Sequence, residues 1–131
     1  MGIVTGLHHI ALKVADFDKT VAFYRDGLGF TQKLAWGEGD TRAVMLDIGD
    51  GSCVEIFAGG SPEARPEGAI LHLALKAPSC DAALGRALEA GAVQTMAPTD
   101  VTIPTTTGPV PVRIAFCKAP GGEIVEFFQN K

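Results

Sequence analysis

No apolar run in this 131-residue chain approaches the roughly 18 residues that a membrane-spanning helix requires, so no membrane partner is expected. Cysteine is sparse: three residues with no close pair, an odd count that favours free thiols in a reducing compartment over a disulfide framework. Positive charge is also short, with 11 Lys and Arg against 15 Asp and Glu for a net charge of −4. No basic cluster follows a helix face, so nucleic acid is not an expected partner. The segment Met1-Gly2-Ile3-Val4-Thr5-Gly6 has neither a charged n-region nor a long apolar stretch, and no secretory signal is expected there. Gly49-Asp50-Gly51 and Gly121-Gly122 occur as hairpin turns without the strand-to-helix context of a phosphate loop. No Ser-His-Asp arrangement is indicated. The expectation is a soluble, cytoplasmic, single-domain protein, 47% hydrophobic and 20% charged, which is ordinary globular composition.

What the chain does have is a repeat. Leu7-His8-His9-Ile10-Ala11-Leu12-Lys13-Val14 returns 63 positions later as Leu71-His72-Leu73-Ala74-Leu75-Lys76-Ala77. Each copy carries a histidine near its start and a lysine near its end. The later part of each half matches as well, Ser52-Cys53-Val54-Glu55-Ile56-Phe57 being answered by Glu123-Ile124-Val125-Glu126-Phe127-Phe128. A repeat of about half the chain length marks the duplication of one supersecondary unit.

Alternation and turn residues give the elements of the first unit. His9 to Val14 is a predicted strand, with His9, Ala11 and Lys13 on one face and Ile10, Leu12 and Val14 on the other. Asp16 is the expected N-cap of a helix over Lys19 to Leu28, with Val21, Phe23, Tyr24 and Leu28 on its apolar side and Gly29 closing it. Strands follow over Phe30–Trp36, Ala43–Ile48 and Cys53–Phe57. The second unit repeats the order: strand His72–Ala77, helix Cys80–Ala90 capped by Ser79, then strands Val93–Met96, Val112–Lys118 and Glu123–Phe128. The apolar side of its helix is assigned to Ala83, Leu84, Ala87 and Leu88. The Thr- and Pro-rich segment Ala97 to Pro111 is expected to be an extended, partly irregular loop. Residues 59–69, with three glycines and two prolines, form the expected linker between modules 1–58 and 70–131. The fold class is therefore α+β, two βαβββ modules in tandem. Neither module is large enough to bury its own faces, so the two pair within one chain or by exchange between two.

His9, Glu55, His72 and Glu126 carry the candidate chemistry. Any one of them alone is most simply structural. The set differs, because duplicate halves place the same two residue types in the same elements. A carboxylate among Ile124, Val125, Phe127 and Phe128 is expensive to bury unpaired, and a metal is its simplest partner. Two imidazoles and two carboxylates suit one divalent ion per site, Zn, Ni, Co, Mn or Fe, and suit Ca or Mg poorly. His8 falls on the opposite strand face and is expected to point toward the helix layer. Weaker candidates for a substrate pocket are Lys13, Trp36, Arg42 and Cys53.

These residues carry a family resemblance. His9-Ile10-Ala11-Leu12-Lys13-Val14-Ala15-Asp16-Phe17, Phe23-Tyr24, Leu28-Gly29-Phe30, Val54-Glu55-Ile56-Phe57, His72-Leu73-Ala74-Leu75 and Pro120-Gly121-Gly122-Glu123-Ile124-Val125-Glu126-Phe127 together resemble the vicinal oxygen chelate superfamily of glyoxalases, bleomycin-resistance proteins and extradiol dioxygenases. The resemblance covers nearly the whole chain and implies the glyoxalase-like fold, with curved mixed sheets around a cavity. It implies that His9, Glu55, His72 and Glu126 fall on the four metal-ligand positions of the glyoxalase I branch. The activity implied is that of a metal-dependent isomerase or lyase. A proton moves next to a carbonyl through a metal-stabilised enediolate on a small α-oxo or hemithioacetal-type substrate, with Glu126 as base and Glu55 as the alternative. A homodimer is implied as well. Glutathione-using bacterial relatives carry an arginine where this chain has Lys13 and an asparagine where it has Gly59, so the resemblance speaks for the chemistry more than for the tripeptide. The same family also offers an extradiol-type dioxygenase and a non-catalytic drug- or metabolite-binding protein as alternatives.

Overall fold

Five residues, His9–Lys13, form strand β1, and their exposure alternates as the sequence predicts. The computed structural model describes residues 2–3, 6–63, 68 and 70–131, so part of the expected linker and of the segment ahead of β1 lies outside the described residues. The chain divides into two compact units, Met1–Glu63 and Ala64–Lys131.

In the first unit, β1 is followed by helix α1 (Phe17–Ala22), then by strands β2 (Thr31–Trp36), β3 (Ala43–Asp47) and β4 (Cys53–Phe57). The sheet order is β1-β4-β3-β2, with β1 parallel to β4 and the other neighbours antiparallel. Asp16 caps α1 as expected, its carboxylate accepting the Lys19 N–H at 3.0 Å. The helix does not continue as one regular element to Leu28. It widens into a π-helical turn over Phe23–Gly27, closed by the Leu28 N–H donating to the Phe23 carbonyl at 3.0 Å. Two consecutive aromatics explain the widening. Phe23 and Tyr24 are both fully buried, which the 100° step of a regular helix resists. Tyr24 also stacks on Phe30 with ring centroids 5.5 Å apart. Gly29 then turns the chain at φ +84°, a conformation that favours glycine. The helix-facing side of the sheet is apolar, with Leu46, Val54 and Ile56 wholly inaccessible.

In the second unit, β5 (Leu73–Lys76), helix α2 (Cys80–Glu89), β6 (Val93–Ile103), β7 (Val110–Lys118) and β8 (Ile124–Asn130) repeat the first. The sheet order is β5-β8-β7-β6, again with the first strand parallel to the last. Ser79 caps α2 by accepting the Ala82 N–H at 3.1 Å. Cys80, Leu84 and Ala87 are the residues that α2 buries. Leu88, assigned to the apolar side from sequence, is 38% exposed.

The largest departure from the sequence reading is β6. A four-residue strand and an irregular loop over Ala97 to Pro111 were expected; the strand runs 11 residues to Ile103, and β7 begins at Val110. Thr99, Val101, Thr102 and Ile103 are good strand formers. Pro98 is tolerated because β6 is an edge strand, where a missing N–H leaves no neighbour unsatisfied. Register shifts between Gln94 and Met96 and between Met96 and Thr99 take up the remaining misfit. Among the described residues no helix is long and apolar enough to cross a membrane.

An ion network pins α2 to the sheet. Arg113 on β7 donates to Asp81 at 2.7 Å and 3.1 Å and lies 3.2 Å from Asp100, which also accepts Lys131 at 2.8 Å. The Arg113 hydrogen bonds hold the Asp81 carboxyl below its usual range, and Lys131 and then Arg113 do the same for Asp100. Carboxyls lowered in the folded state contribute stability that is present above their unfolded value, about 3.9, and lost as pH falls through the folded values. The urea midpoint of the wild type is therefore expected to drop on acidification below about pH 4. In Arg113→Met the drop should be shallower. Equal acid dependence in the two proteins would show the network to be inert, as exposed pairs often are.

Candidate metal centre

The two units build the same arrangement on the sheet face turned away from their helices. Parallel pairing sets Ala11 opposite Glu55 and His9 opposite Cys53, so His9 stands two residues ahead of the glutamate's partner, on its face. In the second unit Ala74 is opposite Glu126, and His72 stands two residues ahead of Ala74. The outcome is an imidazole–carboxylate pair in each unit: His9 Nε2 is 3.4 Å from Glu55 Oε1, and His72 Nε2 is 3.0 Å from Glu126 Oε1. The glutamates sit on inner strands and the histidines at or beside the outermost ones. That placement explains their burial: the Glu55 and Glu126 side chains are 12% and 9% exposed, those of His9 and His72 37% and 34%.

Both spacings suit a shared cation, and the shorter one also suits a hydrogen bond. Nitrogen and oxygen donors about 2.1 Å from one ion, subtending between a right and a tetrahedral angle, lie about 3.0–3.4 Å apart. Both pairs fall in that range, and the donor chemistry is that of a first-row divalent ion. Among the described residues, however, no group of three or more His, Cys, Asp or Glu side chains could hold a metal ion. The donors come as pairs, one in each unit.

Of the weaker candidates, Lys13 and Cys53 share the Glu55 face, Lys13 standing opposite Phe57 and Cys53 opposite His9. Trp36 meets that face through its edge contact with Phe57, ring centroids 6.2 Å apart. Arg42 is engaged elsewhere. Its guanidinium donates to the Gly39 carbonyl at 2.9 Å and to Asp18 at 3.2 Å, and it lies 4.7 Å from the Phe17 ring centre, against α1. A cavity of about 420 Å³ opens between α1 and β2, lined by Phe17, Val21, Arg25, Trp36 and Arg42 among others. Gly37 forms part of that wall at φ +79°, and a Cβ there would collide with the Thr41 carbonyl. The buried thiols are quiet: burial raises Cys80 and pushes Cys117 up to about 11.

Two neighbours escaped the sequence reading. Phe116, opposite Glu126 in the β7–β8 register, meets the His72 ring edge-on at 5.2 Å; the hairpin register of Val112–Lys118 would have placed it there. His8 was expected to point toward the helix layer. It is exposed instead, with its Nδ1 2.8 Å from His9 Nδ1. His8 lies just before β1, where strand alternation no longer governs it.

Comparison with known proteins agrees with this architecture. Residues 6–127 match the family model described as the Glyoxalase/Bleomycin resistance protein/Dioxygenase superfamily. The chain is 33% identical over 95 residues to the uncharacterized protein YwkD of Bacillus subtilis (strain 168), covering 68% of this chain and 74% of that protein. Among solved structures, SMU.1112c superposes with a TM-score of 0.72 at 24% identity over 95% of this chain and 98% of the other. The genomically encoded fosfomycin resistance protein FosX from Listeria monocytogenes does so at 0.69 and 21% identity, over 98% and 96%. The two structures share the fold. With a family match over almost its whole length and a duplicated βαβββ sheet to account for it, the chain belongs to the Glyoxalase/Bleomycin resistance protein/Dioxygenase superfamily.

Proposed function

We propose that His9 with Glu55 and His72 with Glu126 complete one donor set for a divalent metal ion, and that the protein is a glyoxalase I-like, metal-dependent isomerase or lyase. The observation that carries this reading is the repetition of the imidazole–carboxylate pair at 3.4 Å and 3.0 Å on equivalent strands. The pairs come from the two units of one chain or from two chains of a homodimer, and residues 1–131 act as one domain of modules 1–58 and 70–131. When bound, the cation supplies Lewis acidity to a substrate carbonyl oxygen. Glu126 takes the proton from the carbon next to that carbonyl and returns it to the neighbouring position; Glu55 is the alternative base. The low exposure of both glutamates keeps water from competing for that proton. Lys13, Cys53 and Trp36 line the face on which a small α-oxo or hemithioacetal-type substrate would lie. Three free cysteines fit a reducing compartment such as the cytoplasm.

Elemental analysis of the purified protein tests the reading. Near one equivalent of Zn, Ni, Co, Mn or Fe per donor set is expected, with turnover of hemithioacetal or epimerisable acyl substrates that stops on chelation and returns with metal. A protein that takes up none of these ions, or that binds a small molecule equally well after chelation, would be a binding member of the superfamily instead.

A further inference from the structure

The two pairs are supported differently, and the difference assigns a task to His8. In the first unit the His9 ring is contacted at both nitrogens: Nε2 faces Glu55 at 3.4 Å, and Nδ1 lies 2.8 Å from His8 Nδ1. The rings meet edge to face, 5.1 Å between centroids. The 2.8 Å contact is a full hydrogen bond, whereas 3.4 Å is longer than nitrogen–oxygen bonds usually run. A hydrogen bond between two Nδ1 atoms requires one ring to donate and the other to accept. An imidazole that binds a cation through Nε2 must keep its own proton on Nδ1, and a fixed acceptor for that proton sets both the tautomer and the ring direction. In the second unit no histidine precedes His72. Leu71 stands there, and the His72 ring is steadied by the edge of Phe116.

We infer that His8 is a positioning residue for the metal centre: its Nδ1 accepts the Nδ1–H of His9 and holds His9 Nε2 bare and aimed beside Glu55. This rests on the ligand role proposed for His9 and adds to it an outer partner that only the first unit possesses. His8 touches neither substrate nor metal.

Calorimetric titration of the chelator-treated full chain with Zn2+ tests it, using His8→Phe and His8→Asn. Phenylalanine keeps the ring contact without an acceptor; asparagine keeps an oxygen acceptor near the Nδ1 position without the ring. Zn2+ affinity is expected to fall about 10–100-fold in His8→Phe and to recover most of that loss in His8→Asn. In nitrogen-15 spectra of the Zn2+-loaded wild type, His8 should hold a single tautomer, Nε2–H with Nδ1 accepting. His8 is exposed, so both variants should keep the wild-type circular dichroism. Tight Zn2+ binding by the wild type with unchanged affinity in His8→Phe overturns this inference and leaves the proposed function standing. Equal losses in both variants also overturn it, since ring contact rather than hydrogen bonding would then matter. Absence of Zn2+ binding by the wild type overturns both.

Discussion

Glu126→Gln is expected to purify without its metal and to lose about 10²–10⁴-fold in turnover of a hemithioacetal substrate, the range that a positioned general base contributes. The substitution keeps shape and removes charge. Glu126 is only 7% exposed and lies on an inner strand, and His72 Nε2 lies 3.0 Å from its Oε1. Burying a carboxylate costs several kcal/mol unless something positive repays it. A neutral amide has no such requirement, so the variant should fold at least as well as the wild type. That outcome matters, because it separates lost chemistry from lost structure. Metal content by elemental analysis, the urea midpoint and solvent-deuterium incorporation next to the carbonyl together read the three quantities. Glu55→Gln should lose metal to a similar degree. If excess metal restores deuterium incorporation in Glu55→Gln but not in Glu126→Gln, Glu126 is the base; the reverse pattern transfers that role to Glu55. Retention of both metal and turnover in Glu126→Gln would remove the catalytic reading altogether.

Ile56→Ala is expected to cost about 2–5 kcal/mol of stability, the usual range for removing a large aliphatic side chain from a closed core. Ile56 is wholly inaccessible. It lies on β4 between Glu55 and Phe57, with Leu12 opposite it on β1 and Val44 on β3. Its side chain points to the α1 side while Glu55 points away, so the substitution attacks the platform without touching the proposed ligands. Urea denaturation followed by circular dichroism measures the cost. Native contents spanning two compact units call for a second probe, and the fluorescence of Trp36, the one tryptophan, reports on the first unit alone. Stability lost by less than about 1 kcal/mol would mean that the sheet's helix-facing surface relaxes around the gap more freely than closed cores do.

Much of this architecture is legible in the residues. Alternation in His9–Lys13 and Cys53–Phe57 gives the strands and their faces, and Asp16 and Ser79 mark helix starts that the backbone confirms. Duplication does the rest, since it aligns Glu55 with Glu126 before any pairing is known. What escaped depends on interactions that periodicity does not encode. The π-helical turn follows from packing Phe23 and Tyr24 together, a tertiary demand. The length of β6 was hidden by Pro98, which reads as a breaker until the strand is known to be at an edge. The direction of His8 was missed because it lies one residue outside the strand whose alternation was applied to it.

The position of the histidines has a mechanical consequence. Among the described residues β1 and β5 each pair with one neighbouring strand, β4 and β8 respectively, so they are edge strands whose amides open readily by local fraying. A cation clasped between His9 and Glu55, or between His72 and Glu126, would fasten the rim of a sheet to its interior at the end where the rim begins. Occupancy of the centre and slow hydrogen exchange along those two outer strands would then rise and fall together, making the ion a rivet of the scaffold as well as an agent of its chemistry.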